Sequence, residues 1–257
     1  MKRIAVFVYG LVCYALFLVV LLYAVGFLGG FGVAKSIDSG PEGSALGAVA
    51  VDAGLLLVFA LQHSVMARPW FKRVWTRMVP VPIERSTYVL FSSLALLLLF
   101  WQWQPIGGVI WSVDSLAGRT LVYSLYAVGL LIVLLSTFLI NHFDLFGLRQ
   151  TYLYLVGRPY TPLQFRTPFF YQYVRHPLYL GWLLTFWSAP TMTAAHALFA
   201  ATTTIYILMA IRLEEADLIW THGTKYLQYR KDVPMIVPSL RRGPGKESVV
   251  AAELGDL

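Results

Sequence analysis

Long stretches without a charged residue are the feature that most limits how this chain can fold. Four of them, each at least as long as a bilayer crossing, cover residues 4–34, 86–113, 120–141 and 177–211. A fifth, residues 43–67, is interrupted only by Asp52 and His63. About 20 apolar residues in a helix span the hydrocarbon core of a bilayer, and 58% of this chain is hydrophobic while only 13% is charged. The pattern predicts an all-α polytopic membrane protein with about five transmembrane helices.

Basic side chains are concentrated in alternate links between these stretches. They are Lys2, Arg3, Arg68, Lys72, Arg73, Arg77, Arg85, Arg149, Arg158, Arg166 and Arg175. The other two links, residues 35–43 and 104–119, together carry two basic and three acidic side chains. Because short loops rich in Lys and Arg stay on the cytoplasmic side of a membrane, we expect a cytoplasmic N-terminus. Such loops also contact anionic lipid, so the net charge of +7 indicates a lipid bilayer as partner and no nucleic acid.

The last stretch, residues 177–211, is too long for one crossing, because at 1.5 Å per residue a single helix would reach about 52 Å. Pro190 lies near its middle, and proline removes a helical hydrogen bond and clashes with the preceding turn. We therefore predict a helical hairpin with arms over residues 178–189 and 194–213. Its two ends then return to the cytoplasmic face, which brings the Arg-His-Pro segment before the hairpin close to the Glu pair after it.

Polar side chains gather at the cytoplasmic ends of the predicted helices. They are Gln62, His63, Asn141, His142, Asp144, Arg149, Gln150, Arg175, His176, Tyr179, Glu214 and Glu215. Polar groups near a membrane core are costly and usually mark function, although the cost falls near the interface. Structural interpretations also exist: Arg175 as an interfacial anchor, His176 as a helix cap before a proline, and Tyr179 as part of an aromatic belt. The convergence of several helix ends favours a cytoplasmic pocket.

Three segments in the last third of the chain resemble one known family. They are residues 173–181 (Tyr-Val-Arg-His-Pro-Leu-Tyr-Leu-Gly), 212–215 (Arg-Leu-Glu-Glu) and 223–229 (Gly-Thr-Lys-Tyr-Leu-Gln-Tyr). Together they are similar to the isoprenylcysteine carboxyl methyltransferase-like membrane methyltransferases. The resemblance implies a cytoplasmic cofactor pocket for S-adenosylmethionine within residues 171–238. The cofactor-binding residues that it implies are Tyr173, Arg175, His176, Tyr179, Gly181, Glu214, Glu215, Tyr226 and Tyr229.

The resemblance also suggests a role for each part of that pocket. A carboxylate that binds two ribose hydroxyls is the recurrent solution for this cofactor, and either Glu214 or Glu215 can supply it. His176 and Tyr179, three residues apart on one helical face, are expected against the adenine or the methionyl group. The two tyrosines of residues 223–229 are expected to close the pocket from a cytoplasmic helix.

The first two thirds of the chain narrow the resemblance. Residues 62–68, 84–88 and 141–150 are similar to a branch that contains the bacterial methanethiol S-methyltransferases and the NnrU-like proteins. This similarity implies an enzyme of the bacterial inner membrane, with a cytoplasmic active site, that methylates a small thiol. Conversion of methanethiol to dimethyl sulfide is the reaction it most directly implies.

Methyl transfer to a thiol needs a nucleophile, and the thiolate is the nucleophilic form. A base with a pKa near neutrality promotes its formation, and histidine is the natural choice. His142 is the first candidate, with Asp144 or a nearby carboxylate orienting its ring, and His63 is the second. His142 can alternatively shape the pocket. Arg175 is expected to neutralise the cofactor carboxylate through a bidentate pair.

Other classes of function stay open at this point. The acceptor can be another thiol or a lipid; the histidines and the Glu pair can hold a metal or haem in a membrane oxidoreductase; or the chain can be a non-enzymatic NnrU-like partner. The sequence has no zinc-type Cys/His spacing, so we predict no metal site. Residues 1–240 are expected to form a single integral membrane methyltransferase domain, and residues 241–257 a disordered tail. The oligomeric state is not predicted.

Overall fold

The computed structural model describes residues 1–41 and 43–238, and most of them are helical. The helices are α1 (Lys2–Gly29), α2 (Ala45–Ala67), α3 (Pro69–Trp75), α4 (Val81–Gln102), α5 (Leu116–Ile140), α6 (His142–Leu145), α7 (Leu148–Leu155), α8 (Pro177–Trp187), α9 (Ala194–His222) and α10 (Thr224–Asp232). The strands are β1 (Val109–Ser112) and β2 (Thr191–Thr193), and a short 3-10 helix covers Phe169–Gln172. The tail predicted to be disordered, residues 241–257, lies outside the described residues.

Five helices, α1, α2, α4, α5 and α9, are long and apolar enough to cross a membrane. This confirms the predicted class of a mostly helical membrane protein with about five spans. Their outward faces carry large exposed apolar side chains such as Leu22, Leu61 and Met209. Exposed apolar surface of this extent marks contact with a membrane rather than with water.

Local sequence explains where the first helices begin and end. α1 ends at Gly29 and is followed by Gly30, whose φ of 73° lies in the left-handed region that glycine adopts without a steric penalty. The Ser44 side chain caps α2 by accepting a hydrogen bond from the Gly47 amide at 3.1 Å. α3 and α8 both have proline in the first turn, where its missing N–H costs no helical hydrogen bond.

The expectation of a purely helical protein is incomplete, because β1 and β2 form a two-stranded antiparallel sheet. Val109 pairs with Thr193 and Trp111 with Met192, with an irregularity between the two pairs. Gly107 and Gly108 interrupt helix formation before β1, while the valine, isoleucine and tryptophan that follow favour extended backbone. Hydrophobic length alone does not distinguish such a short strand from the end of a membrane helix.

The helix break predicted at Pro190 lies between α8, which ends at Trp187, and α9, which begins at Ala194. α9 does not end near Leu213, as predicted, but continues to His222. The Glu pair therefore lies inside a helix rather than at its end. The reason is that neither proline nor glycine follows the pair until Gly223, so nothing in the backbone stops the helix earlier.

The chain divides into two compact units, each with its own packing. The first comprises Met1–Val122, Asn141–Pro162 and Ala189–Thr203; the second comprises Tyr123–Ile140, Leu163–Ser188 and, among the described residues, 204–238.

In the first unit, α1 packs on α4 and α7, and α2 packs on α4. The Lys35 ammonium donates to the carbonyls of Trp101 and Trp103 at 2.7 Å each. The buried Asp52 carboxylate accepts from the Gln104 amide at 2.9 Å. The Asp52 side chain thus holds the backbone that follows α4, which is a structural role for this acidic residue within a predicted span.

Candidate active site

The predicted site residues fall into two groups, one in each unit. The second unit contains the residues implied to bind the cofactor, and the first contains the candidate bases. We describe each group by itself.

Glu215 is the centre of a buried ion-pair network in the second unit. Its Oε1 accepts from Arg175 Nε at 2.7 Å and lies 3.1 Å from His176 Nε2. Only about a tenth of either side chain in the Arg175–Glu215 pair is exposed: 9% and 10%. Arg230 approaches the other carboxylate oxygen at 3.9 Å. Removing one partner of such a buried pair leaves an uncompensated charge, so the network holds these residues in place.

Arg175 also joins the segment before α8 to the end of α10. Its Nη1 donates to the Arg230 carbonyl at 3.0 Å and to the Val233 carbonyl. The backbone amides of Arg175 and His176 donate to the carbonyls of Pro234 and Met235 at 2.9 and 3.1 Å. Within the described residues, only Nη2 of the guanidinium is left without a hydrogen bond. Most of the N–H groups of the Arg175 guanidinium therefore donate hydrogen bonds within the protein. The sequence did not indicate this role.

Glu214 differs from its neighbour because it keeps an available oxygen. Its Oε2 accepts from the Tyr179 hydroxyl at 3.0 Å. Its Oε1 has no hydrogen-bond partner in the described part of the chain. The side chain is partly exposed. Of the two predicted carboxylates, Glu214 is thus the one that can still accept hydrogen bonds from a ligand.

Tyr226 and Tyr229 both pack against Phe165, with ring centroids 5.8 and 5.5 Å away. The Tyr229 hydroxyl donates to the Tyr171 carbonyl at 2.6 Å. The Tyr226 hydroxyl is buried beside the Glu215 carboxylate, with which it interacts. Burial, together with that carboxylate, raises the pKa of Tyr226, so the phenol stays protonated.

Gly181 and Tyr173 lie in apolar surroundings of the second unit. A Cβ on Gly181 would come within 2.7 Å of the Gly129 carbonyl, so this glycine allows α8 to approach α5 closely. Tyr173 borders a cavity of about 350 Å³ whose other lining residues include Phe169, Phe170 and Leu180. The structure therefore places Gly181 at a helix crossing and Tyr173 at an apolar cavity.

His142 is buried in the first unit at the junction of α5 and α6. Asn141 caps α6 by accepting from the Asp144 amide at 3.1 Å, which fixes the backbone at this junction. The ring Nε2 lies 2.7 Å from the Tyr14 hydroxyl. Burial lowers the pKa of His142 below its usual 6.5, so the imidazole is neutral at neutral pH. A neutral imidazole is the form that accepts a proton.

Asp144 makes different bonds from those expected of a residue that orients His142. Its carboxylate accepts from Arg149 Nη1 at 2.7 Å and from the Tyr160 hydroxyl at 3.3 Å. Burial, followed by the effect of this carboxylate, raises the pKa of Tyr160. The side chain seen to bond the His142 ring is Tyr14, which was not among the predicted residues. A hydroxyl inside a charge-free helix needs a partner, and this requirement was the available signal.

His63 contacts a second tyrosine of the first unit. Its Nε2 lies 2.9 Å from the Tyr88 hydroxyl, and its Nδ1 lies 3.2 Å from Ser92 Oγ. Tyr88 belongs to a buried cluster with Met66, against which Phe17 and Phe146 pack.

Phe146 also contacts His142, with ring centroids 4.8 Å apart. The two histidines of the first unit therefore border the same aromatic cluster, as their positions at two predicted helix ends suggested. In residues 1–41 and 43–238, no three His, Cys, Asp or Glu side chains lie together in an arrangement that could hold a metal ion.

Proteins of known activity are similar to nearly the whole chain. A methanethiol S-methyltransferase of Crocosphaera subtropica is 60% identical over 248 residues, which cover 96% of this chain and 96% of the relative. The chain belongs to the methanethiol S-methyltransferase family. Another member, from Mycobacterium tuberculosis, is 50% identical over 238 residues, covering 93% of this chain and 98% of that protein.

The chain is also similar, at lower identity, to proteins called nurim. Nurim of Xenopus laevis is 32% identical over 196 residues, which cover 72% of this chain and 68% of nurim. No family model and no solved structure matches the chain. Membership of the family confirms the resemblance found in the sequence motifs.

Proposed function

We propose that this protein transfers a methyl group from S-adenosylmethionine to methanethiol and so produces dimethyl sulfide. The observation that carries the proposal is 60% identity, over 96% of the chain, to a methanethiol S-methyltransferase. An oxidoreductase or a non-enzymatic partner would not account for that identity. The five candidate spans agree with an enzyme that works in a membrane.

The cofactor-binding part of the proposal is assigned to residues 171–238. S-adenosylmethionine supplies an electrophilic methyl group on a sulfonium centre. One feature of the second unit suits such a ligand: the available oxygen of Glu214, which can accept hydrogen bonds from ribose hydroxyls. The Tyr179 hydroxyl holds the Glu214 carboxylate in position. The Arg175–Glu215 pair is assigned to supporting this pocket rather than to contacting the cofactor carboxylate.

The acceptor-binding part is assigned to the first unit. His142 is neutral and buried, which suits a general base for a thiol. Tyr14, Phe143 and Phe146 surround it, with ring centroids 4.8 to 5.7 Å from its own. Sulfur makes favourable contacts with aromatic rings, so this surrounding suits a small sulfur compound. His63 remains the second candidate base.

The proposed topology has a cytoplasmic N-terminus and a helical hairpin formed by α8 and α9. The hairpin is supported by a hydrogen bond from Trp187 Nε1 to Thr204 Oγ1 at 3.0 Å near the break, and by the Tyr179–Glu214 bond at the open end. Positive links that flank α2, α4 and the hairpin favour a cytoplasmic face for the cofactor pocket of a bacterial inner membrane enzyme.

The proposal is tested by supplying methanethiol and methyl-labelled S-adenosylmethionine to membranes that contain the protein. Labelled dimethyl sulfide in the headspace, absent from membranes without the protein, is the expected result. Ethanethiol and a prenylated thiol, supplied in parallel, measure how narrow the acceptor range is. Folded protein that binds S-adenosylmethionine but yields labelled product only from the larger acceptors would overturn methanethiol as substrate.

A further inference from the structure

A tyrosine hydroxyl in the first helix is bonded to the candidate base. Tyr14 lies in the middle of α1, and its hydroxyl is 2.7 Å from Nε2 of His142. The two rings are nearly perpendicular, at 88°, with centroids 5.7 Å apart. Hydroxyl and ring nitrogen are therefore joined by a short hydrogen bond, and the ring contact fixes their relative orientation.

Aromatic rings shield this pair from water. Phe17 stacks on Phe146 with centroids 4.0 Å apart, and both lie within 6.4 Å of Tyr14 or His142. Only 5% of His142 is exposed. A hydrogen bond in such a setting is electrostatically stronger than one in water.

The charged side chains on neighbouring elements are engaged elsewhere. Arg85 of α4 donates to the Leu145 carbonyl at 2.7 Å, and Asp144 of α6 is paired with Arg149 of α7 at 2.7 Å. Burial lowers the pKa of His142. The Tyr14 hydroxyl, by contrast, is in hydrogen-bonding contact with Nε2.

We propose that Tyr14 passes the proton of the acceptor thiol to Nε2 of His142, an inference that rests on the proposed methyltransferase function. In this step the S–H bond breaks and its proton goes to the Tyr14 oxygen, while the Tyr14 proton goes to Nε2. The electron pair left on the thiol sulfur forms the new S–CH₃ bond. The C–S bond to the donor sulfonium breaks, and its electrons return to the donor sulfur. Imidazolium then releases the proton to water.

This proton relay through Tyr14 is needed because a neutral histidine has a single nitrogen that can accept a proton. Such a ring has one N–H and one acceptor nitrogen. If Nε2 accepts from Tyr14, then Nδ1 carries the ring proton, and a thiol proton can reach the acceptor nitrogen only through the Tyr14 oxygen. The opposite tautomer, with Nε2 donating to Tyr14, makes no such relay. The proposal therefore commits to protonation at Nδ1.

Tyr14→Phe tests the relay, because it keeps the ring and removes the hydroxyl. We expect kcat with methanethiol at pH 7 to fall about 100-fold, the scale of a lost acid–base contribution. The affinity for S-adenosylmethionine should not change. The lost rate should recover with rising pH, about tenfold per pH unit below the pKa of the thiol, because free thiolate needs no base. A purely structural role would not produce this recovery.

Tyr23→Phe is the matched control. It removes a hydroxyl from the same helix, one that donates to the Lys35 carbonyl at 3.1 Å rather than to a histidine. It should keep wild-type activity and pH dependence. Tyr14→Phe that retains wild-type kcat, or loses it without recovery at high pH, would overturn the relay.

Ring ¹⁵N shifts of His142 give a second readout without cofactor or turnover. They are assigned by their absence from the spectrum of His142→Gln. The wild-type protein should show a protonated Nδ1 and an acceptor Nε2, with Nε2 shifting in Tyr14→Phe. A protonated Nε2 in neutral wild-type protein would contradict the relay even if Tyr14→Phe did not fold. Absence of dimethyl sulfide from the wild type would instead contradict the proposed function.

Discussion

The two adjacent carboxylates of α9 can be separated by experiment, because they make different bonds. Glu214 keeps an oxygen that can accept a hydrogen bond from a ligand, whereas Glu215 is already paired with Arg175 and His176. Glu214→Gln should weaken S-adenosylmethionine binding about 10- to 100-fold, since a charge-assisted hydrogen bond contributes about 1.5 to 3 kcal/mol. Its unfolding temperature should stay close to wild type. Calorimetry on the detergent-solubilised protein measures both quantities.

Glu215→Gln is the matched comparison, and we expect its main effect to be on stability rather than on cofactor binding. It leaves the buried Arg175 guanidinium without its anionic partner, which should lower the free energy of unfolding by about 3 kcal/mol. If Glu214→Gln binds cofactor like wild type while the stable fraction of Glu215→Gln does not, the assignment of the ribose carboxylate to Glu214 is wrong.

The lowered pKa of His142 predicts where activity is lost in acid. A base is competent while unprotonated, so kcat/KM should begin to fall only below pH 6.5, the ordinary value for histidine. Stability changes in the same direction: the unfolded chain binds a proton at His142 before the folded chain does, so the folded state loses stability as pH falls below 6.5. A pH–rate profile checks this prediction. An acid limb centred above pH 6.5 would contradict it.

The sequence indicated which side chains belong to the candidate site, but it did not indicate all of the groups with which they form hydrogen bonds. Arg175, His176 and Glu215 were predicted to share a pocket, and the structure joins them. The sequence could not show that Arg175 would be largely saturated by Glu215 and by carbonyls after α10, because backbone acceptors leave no trace in side-chain identity. Tyr14 was missed for a related reason. One tyrosine in a helix that also contains Tyr9 and Tyr23 looks no different from its neighbours.

The crossing of α5 and α8 depends on two glycines that face each other in the second unit. A Cβ on Gly181 would lie 2.7 Å from the Gly129 carbonyl and 2.9 Å from the Val133 amide, both backbone groups that cannot move aside cheaply. Gly181→Ala should therefore cost about 1 to 3 kcal/mol of stability, as overpacking does. Thermal unfolding in detergent measures the loss.

Gly54→Ala on α2 is the control for that substitution. Nothing lies within 4 Å of its added methyl, and alanine favours a helix by roughly 0.5 to 1 kcal/mol over glycine. This variant should be as stable as wild type or slightly more so. Equal behaviour of the two variants would show that the crossing tolerates a larger separation.

The existence of the long helices could be predicted from the length and hydrophobicity of the apolar stretches. The residues at which the helices end were harder to predict. The long apolar stretches gave α1, α2, α4 and α5 directly, since little else buries so many apolar residues. The end of α9 was misplaced because charge was taken as a stop, whereas a helix stops at a backbone feature such as Gly223. The β1–β2 pair needs a partner far along the chain, which local pattern cannot reveal.

The distribution of charge over the whole molecule predicts its orientation. We expect the link after α3 to be cytoplasmic and the link before α5 to be periplasmic. Met78→Cys and Ser115→Cys, each in a Cys13→Ala background, mark these two links. An impermeant maleimide should label Ser115→Cys in intact spheroplasts and Met78→Cys only after permeabilisation. The reverse labelling pattern would refute the orientation.

The bonds that Arg175 makes to the end of α10 have a consequence for how the protein is made. Arg175 and His176 leave the ribosome before the carbonyls of Val233, Pro234 and Met235 that hold them. At about 5 to 20 residues per second, roughly 3 to 12 s of synthesis separate Arg175 from Met235. During that interval the guanidinium has none of those carbonyl acceptors. The proposed cofactor pocket therefore cannot assemble until residues 233–235 have been synthesised.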